Sequence, residues 1–186
     1  MPRFAAALAG LSIFACLAAP AAAADRWAVD TGELTWAVPF SGNPLPGNFE
    51  SFASDIAFSP DDLAGSAVTV TVQIASAHMD NPEQQAELVK PDWFNADAFP
   101  TATFTAENFR SVGGDAYEAD GTLTIRDVSR QITLPFTFAI DGNQAHITGG
   151  ITVNRIDYGV GQGDWAIDDV IGFPVTISFD LTATRG

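Results

Sequence analysis

A chain of 186 residues fits one domain with a short extension. It carries 23 acidic and 8 basic side chains, which gives a formal net charge of −15. A charge this negative repels nucleic acid and anionic lipid headgroups, so proteins that bind either class are excluded.

The N-terminal segment has the three parts of an export signal. Arg3 supplies a positive charge, residues 4–17 are apolar, and Ala22-Ala23-Ala24 is an A-x-A cleavage site. We therefore predict a Sec-type signal peptide over residues 1–24, cleaved after Ala24, and a periplasmic or secreted protein. The alternative, a membrane anchor, is disfavoured because the segment is too short to span a bilayer. Cleavage removes Cys16, the one cysteine, so no disulfide is expected in the mature chain.

The mature domain, residues 25–186, consists mainly of segments in which apolar and polar residues alternate. Period-2 alternation predicts strands with one buried and one solvated face. We expect about eight strands, near residues 34–40, 49–58, 68–74, 102–106, 117–125, 131–140, 144–153 and 175–181.

One short helix and several breaks interrupt these strands. Asn81 is a capping residue and Pro82 suits the first helical position, which together predict a helix over residues 83–89. The proline-rich residues 43–47 predict a turn. Phe49 is out of phase with the following strand, which indicates a bulge near Ser51.

Alternation in nearly every strand favours an eight-stranded antiparallel barrel over a sandwich, since a single closed sheet has one buried face. Such a barrel has room for packed side chains or for one ligand. The chain has 14 phenylalanines and 4 tryptophans. Aromatic residues dominate ordinary cores, so composition alone favours a filled interior over a hollow one.

No set of residues predicts catalysis or a metal site. His78 and His146 lack a neighbouring histidine or cysteine in the sequence. The paired acids at residues 61–62 and 168–169 lie among turn residues, where solvated carboxylates are usual. The glycines of residues 159–163 lack the helix of a phosphate-binding loop, and we expect them to allow sharp turns at the barrel rim.

Several motifs, taken in order, resemble the YceI-like family of exported polyisoprenoid-binding proteins. They are GNFESF (residues 47–52), DWFN (92–95), FPTATF (99–104), GTLTIRDV (121–128) and RIDYGVGQGDW (155–165). The resemblance extends over about residues 26–184, which is the whole mature domain.

This resemblance implies a lipocalin-like, eight-stranded barrel with a long cavity that holds an isoprenoid chain, and it shifts the balance towards a hollow interior. Some family members are associated with membrane cytochrome b proteins, which suggests quinones as ligands. Many members have a His-Ser pair after the first aspartate, whereas this chain has residues 32–35 (GELT) there. The contact with a ligand head group is therefore expected to differ.

We expect a non-enzymatic periplasmic carrier of a polyisoprenoid lipid or isoprenoid quinone, without a covalent cofactor or a metal. The alternative is a quinone-dependent electron-transfer accessory of a membrane cytochrome b. The sequence leaves homodimer formation open.

The expected ligand-binding residues are aromatic and fall into two groups. The first shares the dry phase of the predicted strands: Trp36, Phe40, Phe52, Phe58, Phe104, Phe136 and Phe138. The second lies on predicted loops at the mouth of the barrel: Trp93, Phe94, Tyr158 and Trp165.

Overall fold

The computed structural model describes residues 24–186, so all of the predicted signal peptide except Ala24 lies outside the described residues. The described residues form ten strands and one α-helix. These are β1 (Arg26–Phe40), β2 (Asn43–Phe49), β3 (Phe52–Ala57), β4 (Ala67–Gln73), β5 (Ala77–His78), α1 (Pro82–Leu88), β6 (Thr101–Gly113), β7 (Ala116–Ile125), β8 (Val128–Asp141), β9 (Gln144–Asn154) and β10 (Pro174–Arg185). Short 3-10 helices occur at Leu63–Gly65, Ile74–Ser76, Arg155–Tyr158 and Gly163–Trp165.

Eight of the strands form a closed antiparallel ring, in the order β1-β3-β4-β6-β7-β8-β9-β10 and back to β1. The closing pair joins the two ends of the domain, with Trp27 opposite Arg185 and Ala37 opposite Thr176. The short strands β2 and β5 extend the sheet beyond one half of β1. The predicted eight-stranded, lipocalin-like barrel with one helix is confirmed.

The predicted turn over residues 43–47 is wrong, because this segment is strand β2. The chain reverses one step earlier, at Ser41 (φ 49°) and Gly42 (φ 81°), which suits a two-residue hairpin turn. Pro44 and Pro46 pair with β1. The missing proline N–H groups are tolerated because the other edge of β2 has a partner only at its end, where Asn48 and Phe49 meet β5.

Helix α1 begins and ends within one residue of its predicted bounds. The Asn81 side chain accepts hydrogen bonds from the backbone N–H groups of Glu83 and Gln84, and Pro82 occupies the first turn. Residues 90–99 then turn back on the helix, with the Phe94 N–H donating to the Leu88 carbonyl. This helix and loop cover one end of the barrel, which we call the capped end.

Packed aromatic rings fill the other end, which we call the closed end. Phe58 is fully buried there, and its ring centroid lies 4.5 Å from that of Phe138 and 5.0 Å from that of Tyr117. Phe109 and Phe136 complete the cluster, each with its centroid 5.6 Å from that of Phe58. Side chains, not a ligand, occupy this end of the interior.

Strands β1 and β3 separate over part of their length and leave a gap in the wall. Trp27 pairs with Ile56 below the gap, and Leu34 pairs with Phe49 of β2 above it. Residues 28–33 and 50–55 form no ladder with each other. We call this opening the wall gap. At the same level Asp30 is an extra, bulged residue in the pairing of β1 with β10, and a bulge bends its strand.

The two tyrosines of the chain are both buried, Tyr117 at the closed end and Tyr158 at the capped end. Burial raises the pKa of both phenols, because it disfavours the charged phenolate. The charges of Asp115 and Asp61 add to this effect at Tyr117.

Replacing Phe58 should show how much of the stability depends on the closed end. We expect Phe58→Ala to lower the free energy of unfolding by about 3–5 kcal/mol, since a fully buried ring with four aromatic neighbours is removed. Denaturant unfolding measures this loss. Val112→Ala is the control, because Val112 is exposed and should change stability by no more than about 0.5 kcal/mol. A loss below about 1 kcal/mol for Phe58→Ala would contradict tight packing of the cluster.

Titration of the tyrosines should report their burial. Phenolate absorbance should develop only at pH values above about 10, the ordinary tyrosine pKa. Because the folded pKa values are raised, the contribution of these two phenols to stability should be fully present below about pH 10 and be lost above it, as the unfolded chain releases these protons first. Phenolate absorbance and unfolding at each pH measure the two effects, and Tyr158→Phe isolates Tyr117. A phenol of the folded protein that ionises at or below about pH 10 would disprove the assignment.

Candidate functional site: an apolar cavity inside the barrel

A cavity of about 500 Å³ lies inside the barrel, between the closed and capped ends. All eight strands of the ring contribute to its lining, together with β2, α1 and the loops of the capped end. The lining is almost entirely apolar. Its charged members are Glu87 and Arg155, both from the capped end, while Gln84, Ser54 and Thr103 add uncharged polar groups.

Inward-facing residues in the middle of the barrel show that this layer is hollow. Phe52, Val70, Phe104, Leu134 and Phe179 all line the cavity, and all are only half-buried. Their strands belong to a closed sheet, so their exposed area faces the internal space, apart from the part of Phe52 that borders the wall gap. Residues of the same phase at the two ends, such as Phe58 and Trp36, are buried.

All eleven aromatic residues selected from the sequence line this cavity. Phe58 and Phe138 belong to the packed cluster of the closed end. Trp36, Trp93 and Tyr158 are buried in the cluster of the capped end, with Phe94 and Trp165 packed against it. Phe40, Phe52, Phe104 and Phe136 complete the set. Contact between any of these side chains and a ligand stays a prediction.

The residues predicted to bind a ligand do not include the aliphatic half of the lining or one inward-facing polar residue, Ser54. The missed aliphatic residues include Leu34, Val70, Leu123, Ile132, Leu134, Ile151 and Ile177. They occupy the same dry phase as the selected aromatics, so the alternation that predicted the strands already contained them. Ser54 also lies in this phase, between Phe52 and Ile56.

Arg155 organises the loop that covers the capped end. It is only 3% exposed, and its guanidinium donates hydrogen bonds to the carbonyl oxygens of Val160, Ile167, Ile171 and Gly172 at 2.9–3.1 Å. Burial lowers the pKa of this arginine, and the charge of Asp168 opposes that effect. The guanidinium nitrogens are thus already bonded to backbone carbonyls, so we assign Arg155 a structural role.

The glycines of residues 159–163 allow the backbone of this loop to turn sharply. Gly159, Gly161 and Gly163 all have positive φ values, between 60° and 84°, so the predicted sharp turns are confirmed. A Cβ on Gly161 would lie 1.9 Å from a guanidinium nitrogen of Arg155. The loop and its arginine therefore require glycine at this position.

A second arginine, Arg126, joins the two loops of the capped end. Its guanidinium donates to the carbonyl oxygens of Pro91 and Trp93 in one loop and Gly159 in the other. It also lies over the Phe99 ring, 5.4 Å from the centroid. Like Arg155, Arg126 links loop segments by donating hydrogen bonds to their backbone carbonyl oxygens.

Two indole N–H groups at the capped end lack an acceptor. Trp36 and Trp93 are 8% and 7% exposed, and the Nε1 atom of each is enclosed without a hydrogen-bond partner among the described residues. The Trp36 ring lies against Gly47, and the Trp93 ring is tilted on that of Trp165, with centroids 5.5 Å apart. Both indoles are therefore fixed by packing.

The outer surface of the capped end is acidic. Its loops carry the exposed carboxylates Asp92, Asp157, Asp164, Asp168 and Asp169, which we call the acidic rim. Among residues 24–186, no three histidine, cysteine or acidic side chains come together as a metal site would require. Within the same range, no helix has the length and apolar character needed to span a bilayer.

Both histidines lie on the outside of the barrel. His146 is exposed on β9, and its Nε2 atom lies 2.7 Å from a carboxylate oxygen of Asp180, which is also exposed. The predicted solvent-facing position of His146 is confirmed. His78 lies 3.9 Å from Glu50.

Comparison with solved structures gives close matches to the whole barrel. BcnA of Burkholderia cenocepacia superposes with a TM-score of 0.82 at 28% sequence identity, covering 84% of this chain and all of BcnA. A polyisoprenoid binding domain from Saccharophagus degradans, implicated in plant cell wall breakdown, superposes with a TM-score of 0.67, covering 89% of this chain and all of that domain. At 13% identity, the second match shows the fold alone.

Sequence comparison agrees with these matches. A UPF0312 protein of Vibrio vulnificus is 28% identical over 134 residues, which cover 69% of this chain and 70% of that protein. The family description of the YceI-like domain matches residues 27–183, nearly all of the barrel. The chain therefore belongs to the YceI-like domain family.

Proposed function

We propose that this protein is an exported binding and carrier protein for a polyisoprenoid lipid or an isoprenoid quinone, which it holds inside the barrel. The observation that carries the proposal is the apolar cavity of about 500 Å³. This volume lies within the range of about 300–1,000 Å³ typical of small-molecule sites.

The chemistry of the lining favours a hydrocarbon chain over a polar metabolite. Burial of each CH₂ group contributes roughly 0.8 kcal/mol. A sugar or nucleotide in the same space would leave polar groups unpaired, because the lining offers few donors and acceptors. The two arginines of the capped end already bind backbone carbonyls, so they do not compensate for such a ligand.

The similarity to a polyisoprenoid binding domain from Saccharophagus degradans supports an isoprenoid as the chain. Export, through the predicted signal peptide, would bring the protein to the periplasm. There a carrier would shield an isoprenoid chain from water. We propose binding without catalysis, since an apolar lining suits retention of a hydrocarbon and not its chemical conversion.

A second candidate is an electron-transfer accessory that delivers a bound quinone to a membrane cytochrome b. The acidic rim, together with the net charge of −15, favours this candidate. Surface charge of one sign accelerates the encounter with a partner of the opposite sign.

Blocking the cavity should abolish binding. On β4, Val70 faces the cavity and Thr69 faces outward, so Val70→Trp fills the space and Thr69→Trp is the matched control. We expect Val70→Trp to lower the affinity for an isoprenoid alcohol at least about tenfold and Thr69→Trp to leave it unchanged, because only the inward indole takes the place of the chain. Fluorescence titration measures the affinity.

The same two variants should differ in the lipid that they retain during purification. Organic extraction and mass spectrometry should recover an isoprenoid from the wild type and from Thr69→Trp, and little from Val70→Trp. An empty wild-type protein from several expression hosts, combined with no binding of added isoprenoid, would disprove the proposal.

The second candidate makes a separate prediction about salt. Binding to membranes that contain a cytochrome b should weaken several-fold between low and about 0.5 M salt, because screening shortens the reach of surface charge. Neutralising the acidic rim with Asp164→Asn, Asp168→Asn and Asp169→Asn should have a similar effect. Asp61→Asn with Asp141→Asn, on exposed residues of the closed end, is the control. Binding that is insensitive to salt would contradict an electrostatic encounter.

A further inference from the structure

The wall gap between β1 and β3 lies against the cavity. Two residues of β3, Phe52 and Ser54, line both the cavity and a recess on the outside of the gap. The other side of this recess consists of residues 28–32 of β1. The recess and the cavity therefore meet at the side chains of Phe52 and Ser54.

The gap exposes backbone groups that a complete ladder would pair. Residues 28–33 of β1, apart from the bulged Asp30, pair with β10 on one side only, and residues 52–55 of β3 pair with β4 on one side only. Backbone N–H and C=O groups are strong donors and acceptors that need partners. The gap thus offers hydrogen bonds at the edge of an apolar cavity.

Ser54 adds a hydroxyl group to this opening. Its neighbours in the inward phase of β3 are Phe52 and Ile56, and its ladder partner is Val70. Ser54 is thus a polar side chain set within an apolar surface, where a hydroxyl both donates and accepts hydrogen bonds.

The charges around the gap define which head group it suits. Asp30, Glu33 and Glu50 are exposed at its border. The cation at the lower end of this border, Arg26, is already paired with Asp55 at 2.7 Å. A phosphate or diphosphate would be repelled by these carboxylates, whereas an uncharged hydroxyl or carbonyl would meet hydrogen-bonding partners at no such cost.

The capped end is less suited to a polar head group. The guanidinium groups of Arg126 and Arg155 are bonded to backbone carbonyls. The indole nitrogens of Trp36 and Trp93 are enclosed by packing, so a ligand would have to displace side chains to reach them.

A peptide strand does not fit the gap. The same register continues on both sides of it, since Trp27 faces Ile56 and Leu34 faces Phe49. The opening is therefore closed by paired strands above and below, and an added strand could not pass through.

We propose that the wall gap is the subsite for the polar end of the ligand, and that this end is an uncharged oxygen group, a hydroxyl or a carbonyl. The isoprenoid chain fills the cavity, while Ser54 and the open edge of β1 hydrogen-bond the head group. This inference rests on the proposed function and selects, within it, isoprenoid alcohols and quinones over isoprenoid phosphates.

The first test compares three ligands with one chain: farnesol, farnesyl phosphate and the hydrocarbon farnesene. Wild-type protein should bind farnesyl phosphate at least about tenfold more weakly than farnesol, because of the carboxylates at the gap. Ser54→Ala should weaken farnesol binding about fivefold and leave farnesene binding unchanged, because only the alcohol loses a hydrogen bond. Ser54→Thr should restore farnesol binding. Ser111→Ala, at an exposed position of β6, is the control.

The second test locates the head group directly. A fluorophore is attached to the introduced cysteine of Ala53→Cys beside the gap or of Ala86→Cys on α1, both at exposed positions; Cys16 is removed with the predicted signal peptide. The probe is a farnesyl chain with an uncharged nitroxide at its polar end. We expect the nitroxide to quench the label at residue 53 clearly more strongly than the label at residue 86.

The outcomes separate this inference from the proposed function. Binding of farnesol and farnesene, with stronger quenching at residue 86 or equal losses for both ligands in Ser54→Ala, would overturn the inference and leave the proposed function intact. Preference for farnesyl phosphate over farnesol would also overturn it. Binding of none of the three ligands would overturn both.

Discussion

The pairing of β1 with β10 is the interaction on which the rest of the structure depends. These strands come from the two ends of the domain, and their ladder from Trp27–Arg185 to Ala37–Thr176 turns an open sheet into a ring. A ring leaves no free edge apart from the wall gap, and every strand has one face inside. The alternation along each strand therefore serves a single enclosed interior. Without this ladder, the half-buried residues of the middle layer would be exposed to water.

Closure of the ring does not by itself determine whether the interior is filled. The distribution of large side chains determines this. Phe58 and four aromatic neighbours fill the closed end. At the capped end, Arg155 and Arg126 hold loops across the barrel by binding their carbonyl oxygens. Between them, side chains such as Val70 and Phe104 reach inward and remain only half-buried. The cavity is thus the space left between two well-packed layers.

The sequence predicted the eight strands of the ring, the helix and the aromatic lining, because each depends on local spacing or on a local capping residue. The turn predicted over residues 43–47 was wrong because the chain reverses at Ser41 and Gly42. The prolines that follow lie in strand β2, which tolerates them because no strand pairs with its other edge at these positions. The bulge of β1 has a signal in the sequence: the inward phase changes between Val29 and Leu34, as the extra residue Asp30 requires. The role of Arg155 had no local signal, since its carbonyl partners come from residues up to 17 positions away.

A hollow middle layer has a thermodynamic consequence for this fold. Side chains that border a cavity lack the dispersion contacts of a packed core, so the protein without ligand depends on its two ends for stability. A ligand that binds only the folded state stabilises it by mass action, and here it would supply the missing contacts of the middle layer. Tight packing at the ends and a cavity in the middle are then complementary, because rigid ends keep the cavity open for the ligand to enter.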